Sequence, residues 1–135
     1  MNICPAVEVV GLHKFYGKNE ALKGLSFSLP MGKILGIIGA NGAGKSTLFD
    51  ILTTLDRNFT GRVLILGLSS LGNYRQIRNF IGYVPGNFSI YPDLTVAENI
   101  SFFAKMYNSP ETSYRDHPFW DSLSAFANKR AAVLS

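Results

Sequence analysis

The apolar residues of the chain follow patterns that predict several strands. Residues 7–12 form a short apolar run, and residues 25–29, "LSFSL", alternate apolar and polar side chains. Both patterns are typical of half-buried antiparallel strands. The run "KILGIIG" at residues 33–39 is almost continuously apolar, which indicates a fully buried central strand. Residues 61–66 and 81–84 are further strand candidates.

Helical spacing follows the central run and returns in the second half of the chain. The segment "KSTLFDILTTL" places Leu48, Ile51, Leu52 and Leu55 on one helical face. Shorter helical patterns cover residues 74–80 and 119–128, and residues 108–118 have the composition of a linker. We therefore expect the first half to mix strands and helices and the second half to be helical.

The segment "TVAENISFFAKMY" is predicted to be a helix with its own N-terminal cap. Thr95 and Glu98 stand three residues apart at its head, as in a capping box. The predicted apolar face consists of Val96, Ile100, Phe103 and Tyr107.

Composition and charge exclude several classes of protein. Of the 135 residues, 47% are hydrophobic and 16% are charged, which is too apolar for a disordered tail, while no apolar run is long enough to span a bilayer. The formal charge is +4, but the basic residues are scattered apart from the pair Lys129-Arg130, so we expect no nucleic-acid partner. The only cysteine is Cys4, and the first residues do not resemble a secretory signal, which favours a cytosolic setting.

The stretch "GANGAGKST" lies between the predicted central strand and the helix that follows it. Gly39, Gly44, Lys45 and Ser46 match the pattern G-x-x-x-x-G-K-[ST]. Glycines let successive backbone N–H groups turn toward phosphates, the lysine neutralises charge, a hydroxyl can ligate Mg²⁺, and the helix N-terminus attracts the same anion. A tight strand-to-helix turn without a ligand is the simpler alternative. The strand and helix on either side favour phosphate binding, but the motif does not distinguish ATPases, GTPases and kinases.

Several motifs, taken together and in their order along the chain, resemble those of one known protein family. The turn "KFYG" precedes "EALKGLSFSLPMGKILGIIGANGAGKST", and "IGYVP" and "IYPDLTVAENISFFAKMY" follow. From about residue 7 to residue 135 the chain resembles the N-terminal part of an ABC transporter ATP-binding subunit, and within that family it is similar to exporters. The resemblance implies ATP and Mg²⁺ as ligands, a membrane-spanning transporter subunit and a second ATP-binding subunit as partners, and a location on the cytoplasmic face of the membrane.

The resemblance also implies a set of site residues. Tyr16 matches the aromatic residue of the A-loop, which stacks on adenine; Phe15 is a competing candidate, and packing of Tyr16 on the core is the alternative. Ser46 is the implied Mg²⁺ ligand, and Thr47 is implied to lie near the α-phosphate. The nucleotide-binding residues implied by the Walker A loop are Gly39, Asn41, Gly42, Ala43, Gly44, Lys45, Ser46 and Thr47.

Two features depart from the family pattern. Gly86 stands where the family has the glutamine of the Q-loop, which removes a side-chain oxygen from the metal site, and Asn87 is a weak substitute one residue later. The sequence ends at Leu134-Ser135, where the signature motif would begin.

No residue is assigned a catalytic role. None of the nine acidic residues adjoins another, so no Walker B Asp-Glu pair is present; Asp50 belongs to the helix after the glycine stretch and Asp93 to a turn. We interpret His13 as a solvated turn residue and His117 as a linker residue rather than as general bases. We accordingly expect residues 1–135 alone not to hydrolyse ATP.

The predicted fold is α/β: a P-loop NTPase core with an N-terminal antiparallel β subdomain and a C-terminal helical segment, ending before the signature. The expected divisions are about 1–30 for the β subdomain, about 31–94 for the core and about 95–135 for the helical part. The predicted function is that of an ATP-binding subunit that powers an ABC-type transporter. The alternatives are a truncated, non-catalytic nucleotide-binding remnant and, less favoured, a P-loop kinase or GTPase.

Overall fold

The computed structural model describes residues 4–86, 90–110 and 114–134. The chain divides into two compact units, Met1–Tyr83 and Val84–Ser135. The first contains a four-stranded antiparallel sheet and two helices, and the second contains two helices and a 3₁₀ turn. The elements in chain order are β1 (Val7–Tyr16), β2 (Asn19–Leu29), α1 (Lys45–Leu52), β3 (Thr60–Ile65), β4 (Leu68–Ser69), α2 (Tyr74–Ile77), α3 (Val96–Met106), α4 (Phe119–Ser124) and the 3₁₀ turn Ala131–Val133.

The sheet has the strand order β2-β1-β3-β4, and every pair is antiparallel. The three strands predicted at residues 7–12, 25–29 and 61–66 are confirmed, although β1 and β2 are longer than predicted. The aromatic residues that were predicted to form a turn belong to β1, because Tyr16 pairs with Asn19 and only Gly17 and Lys18 connect the strands. Gly17 has φ of 60°, which a two-residue hairpin turn requires and glycine adopts without strain.

The core of the first unit lies between the sheet and α1. Leu48 and Ile51 of α1 meet buried side chains of the sheet, as the helical spacing predicted. The two buried residues of β1 in this core, Val9 and Leu12, are three positions apart because the register is irregular between them. Leu55, the last residue of the predicted apolar face, lies beyond the end of the helix and is exposed. The buried core residues are Val9, Leu12, Leu22, Leu48, Ile51 and Val63.

Two predicted strands do not form. Residues 33–39 and 81–84 have no strand assignment, and Ile34 and Ile38 are almost fully exposed, at 101% and 99%. A buried strand needs hydrogen-bonding neighbours at both edges and a packed layer on each face. Among the described residues no strand pairs with either segment, so their apolar character alone does not bury them.

The predicted capping box at the start of α3 is confirmed. The Thr95 hydroxyl accepts a hydrogen bond from the Glu98 backbone N–H at 3.2 Å, and the Glu98 carboxylate accepts one from the Thr95 N–H at 2.8 Å. The helix buries Val96, Asn99 and Ala104, whereas Tyr107, which was predicted on the buried face, is 72% exposed. Tyr107 follows the last helical residue, which explains the error.

The remaining predicted helices are shorter than their patterns. α2 ends at Ile77 and α4 ends at Ser124, and α4 buries none of its residues. Within the described ranges, no helix is long and apolar enough to cross a membrane.

Candidate functional site

The glycine loop, residues 39–47, leads into α1 in the way its sequence predicted. Gly44 is the N-cap of α1 with φ of 85°, and Gly42 has φ of 80°. Side-chain-bearing residues rarely adopt this left-handed region, so these two glycines permit the turn. The loop therefore reaches the first turn of α1 within a few residues of the extended segment 33–39.

Gly44 is also fixed by its contact with β2. A Cβ atom placed on Gly44 would lie 2.6 Å from the Ala21 carbonyl oxygen and 2.8 Å from Leu22 Cδ2. Contacts this short would force the backbone apart. The loop and β2 thus approach as closely as they do because residue 44 has no side chain.

Lys45 closes the loop on itself. Its Nζ donates hydrogen bonds to the Gly39 and Ala40 carbonyl oxygens, both at 2.7 Å. An ammonium group has three donors, so one remains for another acceptor. Within the described ranges no carboxylate pairs with Lys45. No described acidic side chain therefore neutralises its positive charge.

The first turn of α1 presents unsatisfied donors beside that charge. The first N–H groups of a helix have no intrahelical partner, and Gly44 contributes no side-chain cap. The turn contains no acidic residue. The partial positive charge of a helix N-terminus and the Lys45 ammonium thus act on the same region. This combination favours a ligand with several negative charges.

Ser46 lies at the same turn in a position that could ligate a cation. Its side chain is exposed, and within the described ranges its hydroxyl forms no hydrogen bond. Mg²⁺ is commonly held by one or two protein oxygens together with substrate phosphates and waters. The Ser46 hydroxyl fits this type of site. No group of three or more His, Cys, Asp or Glu residues suitable for a metal occurs in the part of the chain that the structure describes.

A cleft of about 720 Å³ lies beside the glycine loop. The loop forms one wall and the hairpin strand β2 forms another, which places apolar and polar side chains around the opening. Its volume suits a small organic ligand. The lining residues are Asn19, Glu20, Ala21, Leu22, Lys23, Leu25, Phe27, Leu35, Gly36, Ile37, Ile38, Gly42, Ala43, Gly44, Lys45 and Leu48.

Tyr16 and Phe15 lie on different sides of β1. Tyr16 is half-exposed, and the Nζ atom of buried Lys14 lies 4.8 Å from its ring centroid. Phe15 instead stacks with His13, at 6.5 Å between ring centroids. The pairing partner of Tyr16 in the hairpin, Asn19, lines the cleft. Tyr16 is therefore not packed into the core; it lies at the end of the hairpin next to a residue of the cleft, although it does not line the cleft itself.

Sequence reasoning missed a buried ion pair under Tyr16. Lys14 is 3% exposed; its Nζ contacts Asp56 Oδ2 at 2.6 Å and donates to the Asn58 carbonyl oxygen at 2.6 Å. Burial disfavours the charged carboxylate, but hydrogen bonds from Lys14 and from the Asn58 N–H outweigh it and hold the pKa of Asp56 below 3.8. The only signal in the sequence was that Lys14 and Tyr16 stand two apart on a strand and so share a face.

Neither of the two histidines considered in the sequence lines the cleft. His13 is not a turn residue, because it lies in β1 and its Nδ1 is 2.6 Å from Glu20 Oε1. His117 contacts its neighbour Phe119. Gly86 is exposed and lies outside any helix or strand, and Asn87 lies outside the described residues.

The chain is similar to ATP-binding proteins of ABC transporters. The ABC transporter family model matches residues 22–134. The chain is 37% identical over 101 residues to the linearmycin resistance ATP-binding protein LnrL of Bacillus subtilis, which is 75% of this chain and 32% of that protein. It is 35% identical over 127 residues to the methionine import ATP-binding protein MetN of Caulobacter vibrioides, which is 88% of this chain and 38% of that protein.

A solved structure shares the fold. The ATP-binding subunit of an ABC transporter superposes with a TM-score of 0.79 and 26% identity, covering 96% of this chain and 56% of that one. The chain thus spans about a third of the length of these two relatives. The match over most of its residues and the shared fold show that the chain belongs to the ABC transporter family, in its ATP-binding subunits.

Proposed function

We propose that the protein binds ATP with Mg²⁺ through Tyr16 and the glycine loop, as the ATP-binding subunit of a membrane exporter. One observation carries the proposal. The N-terminus of α1 has neither a side-chain cap nor an acidic residue, and it lies beside Lys45, which has no carboxylate partner among the residues that the structure describes. A protein that used this loop only as a turn would gain from neutralising that charge.

The phosphates would bind along the loop. Backbone N–H groups from Gly42 to Thr47 would donate to phosphate oxygens, with the two left-handed glycines setting their direction. The third N–H of the Lys45 ammonium would donate a hydrogen bond to the same anion, while the other two keep their hydrogen bonds to the Gly39 and Ala40 carbonyl oxygens. The loop is therefore organised before the ligand arrives, which lowers the entropic cost of binding.

The Ser46 hydroxyl would hold the metal ion. It is exposed, it is adjacent to Lys45, and no hydrogen bond within the described residues competes for it. Bound Mg²⁺ would neutralise phosphate charge and orient the phosphate chain. Gly86, in place of the glutamine expected from the resemblance, contributes no side-chain oxygen, so this protein would rely more on water and phosphate ligands.

The adenine base would stack on Tyr16. The ring is half-exposed at the end of β1, and the adjacent hairpin residue Asn19 lines the cleft. Stacking on an aromatic face is worth about 1–3 kcal/mol per base. Phe15 is paired with His13 instead and is the weaker candidate.

Membership of the family supports the proposal for the partners but not for the direction of transport. ATP-binding subunits of this family act with membrane-spanning subunits, and we propose a second ATP-binding subunit and a cytoplasmic, membrane-peripheral location for this one. The name of LnrL refers to linearmycin resistance and that of MetN to methionine import. We favour export because of the motif resemblance described above.

A second candidate is a nucleotide-binding protein without catalytic turnover, which the glycine at position 86 favours. A phosphate-release assay on the full-length protein distinguishes the two candidates. Turnover that disappears in Lys45→Ala supports the transport ATPase, and nucleotide binding without turnover supports the second candidate.

The binding proposal is tested with a fluorescent ATP analogue in the presence of Mg²⁺. We expect Lys45→Ala to weaken binding about tenfold to a hundredfold, because hydrogen bonds to charged groups are worth about 1.5–3 kcal/mol. Lys129→Ala, which removes an exposed lysine from the other unit, is the matched control and should bind normally. Unlabelled ATP should compete better than GTP; a strong preference for GTP, or equal binding by Lys45→Ala, would contradict the proposal.

A further inference from the structure

We propose that the buried Lys14–Asp56 ion pair is a positioning device for the Tyr16 ring and thereby sets the affinity for the nucleotide base. The inference rests on the proposed role of Tyr16 in base stacking. It adds two residues, neither of which contacts the cleft.

The lysine end of the ion pair is buried, whereas the Asp56 side chain is 22% exposed. Lys14 is 3% exposed, and a buried ammonium has a large desolvation cost unless its donors are satisfied. Here Nζ has two oxygen partners at 2.6 Å, the Asp56 carboxylate and the Asn58 carbonyl. Asp56 in turn accepts from the Asn58 N–H at 2.8 Å. The pair therefore ties β1 to the segment that follows α1.

The same ammonium contacts the aromatic ring. Lys14 Nζ lies 4.8 Å from the Tyr16 centroid, within the range of a cation–π interaction. Because Lys14 is buried and Tyr16 is half-exposed, the ammonium occupies the protein side of the ring and leaves the outer side to solvent. The outer side is the one on which a base would stack.

A ring at the end of a strand needs such support. Tyr16 is the last residue of β1 and precedes the hairpin turn, and its side chain is one of the hydrogen-bonding groups that lower the pKa of Asp56. Without the ammonium, the ring would lose the contact on its inner side and adopt more orientations. Stacking would then require the ring to be ordered at the moment of binding, and affinity would fall. The phosphate contacts, which involve other residues, would be unaffected.

The prediction distinguishes a base effect from a general loss of structure. The affinities for ATP and for inorganic tripolyphosphate are measured for wild type, Lys14→Met, Tyr16→Ala and the double variant. We expect Lys14→Met to weaken ATP binding about threefold to tenfold, from the strength of a cation–π contact, with tripolyphosphate unchanged. In the Tyr16→Ala background, Lys14→Met should cause no further loss, because the two residues act through one ring.

Two controls complete the experiment. Arg62→Met removes a cation that pairs with Glu8 on the exposed surface of the same sheet, and it should change neither affinity. If Lys14→Met does not melt cooperatively, Lys14→Met/Asp56→Asn removes both charges and leaves no unpaired buried ion. It should show the same selective loss of ATP affinity.

The outcomes separate this inference from the proposed function. If Tyr16→Ala loses ATP affinity and the folded lysine variants do not, the positioning role is wrong and base stacking stands. Equal losses for ATP and tripolyphosphate would show that the ion pair serves only folding. If Tyr16→Ala itself binds ATP normally, the stacking assignment is wrong and the inference is overturned with it.

Discussion

The N-termini of α1 and α3 differ in whether a side chain caps their free backbone N–H groups. Both helices begin with N–H groups that have no intrahelical acceptor. α3 satisfies them itself, with the Thr95 hydroxyl and the Glu98 carboxylate. α1 begins at a glycine without a side-chain cap, has no acid in its first turn, and carries a lysine there instead. The difference supports our proposal that the uncapped N-terminus of α1, beside the Lys45 ammonium, binds an external anion.

The largest effect is expected from adding a side chain at Gly44, the N-cap of α1. Gly44→Ala places a Cβ atom 2.6 Å from the Ala21 oxygen and imposes a φ of 85° on alanine. We expect a loss of stability of about 1–3 kcal/mol from the strain and at least a tenfold loss of nucleotide affinity, because the loop must move away from β2. Thermal melts and nucleotide titration measure the two effects.

Gly72→Ala is the matched control for that variant. Gly72 lies in the same unit, has no left-handed φ, and a Cβ atom there would meet nothing within 4 Å. It should change stability by less than about 0.5 kcal/mol. Normal nucleotide binding by Gly44→Ala would contradict the role given to the glycine cap.

A smaller effect is expected from removing the side-chain cap of α3. Thr95→Ala removes the side-chain acceptor of α3, which should lower the stability of that helix by about 1 kcal/mol. Amide hydrogen exchange in residues 96–106 would report the change. Thr95→Ser keeps the hydroxyl and should largely restore protection. Nucleotide affinity should not change in either variant, because the capping box shares no residue with the glycine loop.

The smallest effect is a pH dependence of the stability of α3 at its capped N-terminus. Hydrogen bonds from the Thr95 N–H and then from its hydroxyl lower the pKa of Glu98 below its ordinary value of 4.5. The ionised carboxylate therefore contributes stability that is fully present above pH 4.5 and is lost as the pH falls through the lower, folded-state pKa. Hydrogen-exchange protection of α3 should fall in acid, and Glu98→Gln should remove part of that dependence. An unchanged profile in Glu98→Gln would count against the capping role of the carboxylate.

The local sequence was sufficient to predict where α1 and α3 begin. The capping box and the glycine loop depend on residues a few positions apart, and the structure confirms the Thr95–Glu98 box and the left-handed glycines that begin α1. β1, β2 and β3 were also predictable because their apolar periodicity coincides with partners in the described sheet.

The predictions failed where burial or pairing depends on residues far away in the sequence. Residues 33–39 are as apolar as a buried strand, yet burial depends on neighbours that the run itself does not specify, and Ile34 and Ile38 are exposed. The Lys14 ammonium finds the Asn58 carbonyl 44 residues away, across the segment after α1. No spacing rule relates two such positions, so the pair could not be predicted from the sequence.

The most direct test of the account is an amide chemical-shift titration of the isotope-labelled protein with magnesium ATP. We predict large shifts at the N–H groups of residues 42–47 and small ones at residues 96–98. In Lys45→Ala the loop shifts should require about tenfold to a hundredfold more ATP. Shifts absent from residues 42–47, or equally large at the capped N-terminus of α3, would contradict the claim that the open helix end binds the phosphates.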